Sequence, residues 1–181
     1  MSSISIAGDT SGSITLSAPA VAGTNTITLP ASTGTVMVNG PAFSASRTGS
    51  NQSISNATAT KVQLNTEEFD TNSNFDPTTN YRFTPTVAGY YQINGAIGFN
   101  ATTMTICIVF LYKNGSGYKR GTDLRTTQSG DSVGVASALI YFNGTTDYVE
   151  LYGYINATVG SPIFVGSSDL TYLNGSMVRS A

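Results

Sequence analysis

Apolar residues alternate with polar ones along much of the chain, which is the period-two pattern of β-strands rather than the 3.6-residue period of helices. β-Branched and aromatic residues dominate the apolar set, and several Asn-Gly pairs suited to tight hairpin turns fall between the strand-like runs. The pattern predicts an all-β sandwich or barrel. Strands are predicted near residues 41–47, 60–65, 80–84, 89–99, 104–113, 132–142, 147–156 and 169–179.

The chain changes character near Pro41. Residues 1–40 contain short alternating pieces with two apolar residues each, too few to offset the entropy lost when such a segment is ordered. A flexible tail is one explanation, but the repeated Ile-x-Leu register favours an intertwined stalk in which three chains share a core. We therefore predict a stalk over 1–40 and a main domain over 41–181. Residues predicted to associate in the stalk are Ile4, Ile6, Ile14, Leu16, Ile27, Leu29, Val36 and Val38.

Two predicted strands are apolar on both faces. In 104–112, the set Cys107, Val109 and Leu111 alternates with a second apolar set, and in 148–155 a tyrosine row alternates with core-type residues. A sandwich covers one face of a strand, so the second face needs another partner. A tyrosine-decorated open surface is the alternative, but tyrosine is common in interfaces and we favour self-association. The predicted interface consists of Met104, Ile106, Ile108, Phe110, Tyr148, Tyr152 and Tyr154.

Composition removes several classes of function. The net charge is −2 with eight Lys and Arg, which argues against nucleic-acid binding, because phosphate neutralisation needs clustered cations. The chain has no His and one Cys, which excludes imidazole-based catalysis, Cys-cluster zinc sites and an internal disulfide. Glycosidases need two carboxylates that face each other across a cleft. The clustered acids Glu67, Glu68, Asp70 and Asp76 lie in a short loop-like segment, and adjacent residues of a strand would point to opposite faces, so a glycosidase is disfavoured. We predict that the protein is not an enzyme.

Residues 64–93 contain a spaced series of aromatic, acidic, Pro and Gly residues. They resemble the signature of the C1q/TNF-like jelly roll: an aromatic, Asn or Asp, a second aromatic, then Phe-x-x-Pro-x-x-x-Gly-x-Tyr-x-Phe. The matching residues are Asp70, Phe75, Phe83, Gly89 and Tyr91. Leu64, Ile93 and Gly95 depart from the pattern, and one extra residue separates the second aromatic from the Phe-x-x-Pro element. The resemblance covers about 41–179 and implies a ten-stranded jelly roll that forms a homotrimer.

The segment that begins at Ile6 resembles stalk segments of tailed-bacteriophage fibres and other virion surface proteins. This resemblance implies a homotrimeric virion protein that contacts other virion proteins through its N-terminal segment. We favour a short fibre for host-surface binding, with capsid decoration as the alternative. A non-viral C1q-like adhesion module is disfavoured because no signal peptide is visible. We expect synthesis in the host cytoplasm, a virion-surface location and no membrane insertion, since no apolar run approaches the ~20 residues that span a bilayer.

Charged residues supply two candidate binding sites. A basic group flanking a predicted hairpin could contact host-surface polysaccharide with trimer avidity, although an ordinary charged hairpin is the simpler interpretation. This group consists of Lys113, Lys119, Arg120 and Arg125. Some C1q-like trimers carry calcium, and carboxylate oxygens suit that ion. The candidate ligands are Glu67, Glu68, Asp70, Asp76 and Asp131, but their spacing favours a solvated acidic loop. We therefore expect no cofactor, with calcium as the one alternative.

Overall fold

The computed structural model describes residues 3–7, 10–17, 20–21, 23–24 and 40–181. The chain forms two compact units, Met1–Thr35 and Val36–Ala181. Fifteen β-strands and no α-helix occur among the described residues. In that part of the chain, accordingly, no helix is long and apolar enough to cross a membrane.

The first unit contains two short strands and the second contains thirteen. In the first unit these are β1 (Ser3–Ala7) and β2 (Ser13–Ser17). In the second they are β3 (Ala42–Ser46), β4 (Gln52–Ser53), β5 (Thr60–Lys61), β6 (Thr66–Asp70), β7 (Phe75–Asp76), β8 (Arg82–Phe83), β9 (Gly89–Asn100), β10 (Thr103–Lys113), β11 (Ser116–Leu124), β12 (Ser132–Phe142), β13 (Val149–Val159), β14 (Ile163–Phe164) and β15 (Tyr172–Ser180).

The second unit is a sandwich of two antiparallel sheets. The first sheet has the order β11-β10-β13-β8-β7, with β5 also paired to β13. The second has the order β4-β14-β9-β15-β3-β6, with β12 paired to β9 along its whole length. The chain crosses between the two sheets several times, as from β8 to β9, from β9 to β10, from β11 to β12 and from β12 to β13, as in a jelly roll. The predicted all-β jelly-roll class is confirmed, although several of its strands have only two residues.

An aromatic cluster fills one end of the space between the sheets, and the signature residues form much of it. The Phe83 ring stacks on Phe43 with a centroid separation of 4.0 Å and meets the edge of Tyr91 at 5.8 Å. Phe142 contacts Tyr91 edge-to-face at 5.4 Å. The Tyr91 hydroxyl donates to the Val87 carbonyl at 2.7 Å, and burial raises the pKa of Tyr91 to about 12. The spaced aromatics therefore specify a packed core rather than a binding site.

The two sheets meet at a corner where β11 passes β12. A Cβ on Gly121 would lie 2.6 Å from the Ala136 Cα, so only glycine permits this approach. Beside it, the Thr122 hydroxyl accepts from the Val135 N–H at 2.9 Å and donates to the Val135 carbonyl at 3.1 Å. Val135 lies on the edge strand β12, and the Thr122 hydroxyl thus provides hydrogen bonds for both its N–H and its carbonyl group.

Candidate interaction surfaces

The outward face of β10 and β13 carries most of the residues predicted to form the trimer interface. Ile108 lies opposite Tyr154, and Phe110 lies opposite Tyr152, so these side chains share one face of the sheet. Tyr112 stacks on Tyr152 with ring centroids 3.8 Å apart. The alternate residues of the same strands are fully buried in the core. They are Cys107, Val109, Leu111, Val149, Leu151 and Ile155.

Met104 does not belong to that face, and its assignment to the trimer interface was wrong. The pairing of β10 with β13 shifts register between Met104 and Ile106, which marks a β-bulge. The extra residue reverses the side-chain alternation, and Met104 is fully buried with its Sδ 3.7 Å from the Cys107 Sγ. Burial also raises the pKa of the Cys107 thiol to about 11, so this cysteine is an unreactive core residue.

Cations from neighbouring strands lie on the aromatic side chains of this face. The Arg82 guanidinium lies over the Tyr148 ring at 4.1 Å, and that of Arg120 lies 5.2 Å from the Phe110 ring centroid. Such contacts combine cation–π attraction with mutual covering of apolar surface. We call Phe110, Tyr112, Tyr148 and Tyr152 the aromatic strip. All four side chains are half-buried within a single chain.

A buried ion pair lies beside the strip. Glu150 is 3% exposed, and its Oε1 accepts from the Lys61 Nζ at 2.5 Å. Burial, and then the nearby Glu150 charge, raise the pKa of Tyr152 above its ordinary value. The Tyr152 phenol therefore stays protonated at neutral pH and keeps a proton to donate.

The outward face of β12 carries a row of exposed apolar side chains, the longest such row among residues 40–181. Val133, Val135, Leu139 and Tyr141 are 42–55% exposed, and the Tyr90 ring of β9 packs at a tilt against Tyr141 with centroids 5.3 Å apart. We call these five residues the β12 row. The β12 row was not among the predicted interface residues, although 132–142 is as apolar on both faces as 104–112 and 148–155.

A ladder of uncharged polar side chains crosses the same face between the apolar residues. Ser137, Asn94, Asn174 and Ser44 lie opposite one another on four neighbouring strands. The Ser137 hydroxyl donates to the Asn94 Oδ1 at 2.8 Å, and the Asn94 Nδ2 donates to the Asn174 Oδ1 at 3.3 Å. Neither β9 nor β12 contains a charged residue. This face therefore differs chemically from the aromatic strip.

The basic group predicted for polysaccharide contact is largely paired with acids. Lys113 forms a salt bridge with Asp147 at 2.9 Å. Arg120 and Arg125 both bind Asp123 at 2.9 Å, and these contacts lower the pKa of Asp123. Lys119 lies 5.1 Å from the ring of the neighbouring Tyr118. The hairpin thus presents little unpaired charge at its tip.

The predicted calcium ligands do not converge. Asp70 accepts backbone N–H groups of residues 72, 74 and 75, and Asp76 accepts those of residues 78–80, which holds the pKa of Asp76 far below its usual range. Glu68 accepts from the Ser44 hydroxyl, Asp131 accepts from Asn100, and Glu67 is exposed on β6. Among the described residues, no group of three or more His, Cys, Asp or Glu is arranged to hold a metal. Calcium binding stays a prediction.

In the first unit, β1 and β2 form a hairpin with one apolar face. Ile4 lies opposite Leu16 and Ile6 opposite Ile14, so the four apolar side chains are on the same side. They are 57–70% exposed. The other residues predicted to associate in the stalk, Ile27, Leu29, Val36 and Val38, lie outside the described residues.

No protein-family model matches the sequence, and no curated protein matches it. Solved structures of TNF-family proteins do match. A crystal structure of murine APRIL at pH 8.0 has a TM-score of 0.53 and 12% identity, covering 77% of this chain and all of APRIL's. The structure of Eiger TNF from S. frugiperda has a TM-score of 0.57 and 10% identity, covering 78% of this chain and 94% of Eiger's. At these identities the likeness establishes a TNF-like jelly-roll fold and nothing about function.

Proposed function

We propose that this jelly-roll protein is a homotrimeric structural component of a tailed-bacteriophage virion surface, a short fibre that displays its head for host-surface binding. The observation that carries the proposal is the exposed β12 row. Fully burying a large apolar side chain contributes about 1.5–3 kcal/mol, so five half-exposed residues leave about 1 kcal/mol each for association. Association with a second copy that covers the β12 row is stabilised by this free energy of burial.

We propose that the β12 row and the polar ladder, rather than the face of β10 and β13, form the contact between copies. The strands β9 and β12 that carry the β12 row contain no charged residue, so burial of the row removes few ions from water. The nearest cations lie at its Tyr90 and Tyr141 end, where Arg179 is opposite Tyr90 and Lys113 is 5.8 Å from the Tyr141 ring. On the other sheet, Arg82 and Arg120 lie on the aromatic residues and would lose hydration if a copy covered them. Of the remaining predicted interface residues, Ile108 is buried within the single chain, and Ile106, Phe110, Tyr148, Tyr152 and Tyr154 then face outward from the assembly.

The N-terminal hairpin supports the fibre role. A two-stranded hairpin is marginally stable by itself, and the apolar face of β1 and β2 is uncovered within the chain. Three copies that shared these faces would form a common core. The resemblance of this segment to phage fibre stalks supports a location on the virion and attachment to other virion proteins. The proposal includes no catalysis, since the acids considered for it serve as local hydrogen-bond acceptors.

The proposal is tested first on the purified chain by light scattering and native mass spectrometry. We expect three copies per particle, and a monomer at micromolar concentration would overturn it. Deletion of residues 2–40 is expected to abolish incorporation into virions while the truncated head stays trimeric. If the truncated chain still enters particles, the N-terminal segment is not the attachment element.

The fibre role is tested by electron microscopy of virions that carry the protein. A few copies at the tail, together with binding of the purified trimer to host cells, is the expected result. Hundreds of copies on the capsid surface would instead assign the protein to capsid decoration. Absence from virions altogether would leave a non-viral adhesion module as the explanation.

A further inference from the structure

Arg82 of β8 lies beside the aromatic strip and opposite Asp76 of β7. Among the described residues, Arg82 forms no salt bridge and its side chain makes no hydrogen bond; its one recorded partner is the Tyr148 ring. Stacking on a ring uses one face of the guanidinium and leaves the N–H groups at its edge free. Those groups match the two oxygens of a carboxylate or phosphate.

The surroundings of Arg82 favour an anionic ligand. Four cationic and three acidic side chains lie on this face, whereas the whole chain has a net charge of −2. The cations are Lys61, Arg82, Arg120 and Arg125, and the acids are Asp76, Asp123 and Glu150. Asp76 lies opposite Arg82 but accepts backbone N–H groups of residues 78–80. Glu150 is buried against Lys61 and therefore repels an approaching anion only weakly. The excess of cations disfavours contact between two copies of this face, because like charges would be brought together.

The strip also provides contacts suited to sugar rings. Phe110, Tyr112 and Tyr152 form a continuous half-buried apolar surface between β11 and β8, the strands that carry Arg120 and Arg82. Three strand spacings of about 4.8 Å place those two strands about 14 Å apart, which is longer than one monosaccharide. The tyrosine hydroxyls add hydrogen-bonding groups beside the apolar rings.

We infer that the aromatic strip binds an acidic polysaccharide, with the Arg82 guanidinium holding a carboxylate or phosphate group and the rings packing against the sugars. This inference rests on the proposed host-surface function and names its ligand and its site. The site is centred on Arg82, which was not among the predicted basic residues, and it shares only Arg120 and Arg125 with that group. In a trimer joined through the β12 row, three such strips face outward and act together.

The test measures binding of the full-length protein to immobilised alginate, a polyuronate, with neutral dextran as the reference polymer. We expect binding to alginate but not to dextran, weakening as salt is raised. Hydrogen bonds to charged groups contribute about 1.5–3 kcal/mol, so Arg82→Gln should reduce alginate affinity at least about tenfold. Arg179→Gln removes an exposed cation of β15 and serves as the matched control, expected to change affinity less than twofold.

Light scattering accompanies each measurement, so that loss of binding through misassembly is recognised. If Arg82→Gln alters the mass, Tyr152→Phe replaces it, because this variant removes one hydroxyl and keeps the stacked ring. Equal binding to alginate and dextran, no binding to alginate, or an unchanged affinity in correctly assembled variants would each overturn the inference.

The same variants on host cells separate this inference from the proposed function. Host-cell binding that Arg82→Gln leaves intact keeps the receptor role and overturns the strip as its site. Alginate binding that depends on Arg82, in a protein that does not bind host cells, supports the strip and overturns the receptor role.

Discussion

Both outward faces of the sandwich carry apolar side chains, but the chain covers these side chains on one face and leaves them exposed on the other. On the face of β10 and β13, arginine side chains from β8 and β11 lie on the aromatic residues, and all four residues of the aromatic strip are half-buried. On the β12 face, the β12 row is 40–55% exposed, and short polar groups such as Ser137 and Asn94 lie between its valine and leucine side chains. An apolar set facing away from the core therefore indicates an interface between chains only if the chain leaves it uncovered.

The difference has a physical cause in the lengths of the flanking side chains. Arginine and lysine stems cover aromatic surface while their charged ends stay hydrated. Serine and asparagine cannot reach across a neighbouring valine or leucine. The arginine-covered face of β10 and β13 can therefore stay in water or bind an anionic ligand. The β12 face gains stability when another chain excludes water from it.

The largest expected effect comes from a charge placed in the β12 row. Val135→Arg should prevent trimer formation, because an uncompensated buried charge costs about 3–5 kcal/mol. Val159→Arg is the matched control, since the two valines are 55% and 54% exposed in the single chain. Sedimentation velocity should detect monomers for the first variant and trimers for the second. Trimers for both would show that the copies meet elsewhere.

A smaller effect is expected from breaking the ion pair beside the aromatic strip. Glu150→Gln leaves the Lys61 ammonium without its partner, but Lys61 is 31% exposed and keeps some hydration. The free energy of unfolding should fall by about 2 kcal/mol in urea titrations, below the full penalty for a buried charge. Asp123→Asn, in the ion cluster of β11, should lower the free energy of unfolding less, because solvent screens the exposed ion pairs of Asp123 with Arg120 and Arg125. Equal losses would mean that burial of Glu150 has no energetic role.

The polar ladder should have an effect of about 1 kcal/mol on association, the usual contribution of one hydrogen bond. Asn94→Ala removes the central member and leaves the Ser137 and Asn174 side chains without that partner. Asn100→Ala on the same strand is the control, because that residue bonds to the exposed Asp131. Dilution experiments followed by mass photometry should show earlier dissociation for Asn94→Ala alone.

The smallest expected effect is a pH dependence of stability, and it arises from a loop carboxylate rather than from either outward face. Backbone N–H groups of Thr79 and Thr78 lower the pKa of Asp76, so the ionised form is favoured in the folded chain. This contribution to stability is present above the unfolded-state pKa of about 3.9 and is lost as the pH falls below it. The midpoint of thermal unfolding should drop on acidification from pH 5 to pH 2, and less so in Asp76→Asn. An identical drop in the variant would assign the acid sensitivity to other carboxylates.

Alternation predicted the long strands well because each has a continuous core-facing set. Predicted 89–99, 104–113 and 132–142 correspond to Gly89–Asn100, Thr103–Lys113 and Ser132–Phe142. The strand β11 was not delimited, since Ser116–Leu124 lies at a sheet edge and has mostly polar residues. The short β4, β7 and β14 contain two residues each, too few for any periodicity.

The interaction surfaces were harder to predict, because exposure depends on residues that are distant in sequence. The cations on the aromatic strip come from β8 and β11, and the sequence of β10 and β13 does not reveal them. Met104 was misplaced because a β-bulge interrupts the alternation without a distinctive residue to mark it. The β12 row had a readable signal, an apolar set on both faces of 132–142, and could have been found.

The corner at Thr122 limits how copies of this protein can join. A strand at the edge of a sheet can recruit a strand from another molecule, and that kind of addition continues without end. At Val135 the Thr122 hydroxyl already occupies both the amide and the carbonyl, so no foreign backbone can pair there. In the trimer proposed above, copies meet through the flat side of β12, and closure of that contact after three copies leaves no free surface for further growth. Thr122 thus helps to prevent fibril formation by a chain that is rich in β-strands and has an exposed apolar face.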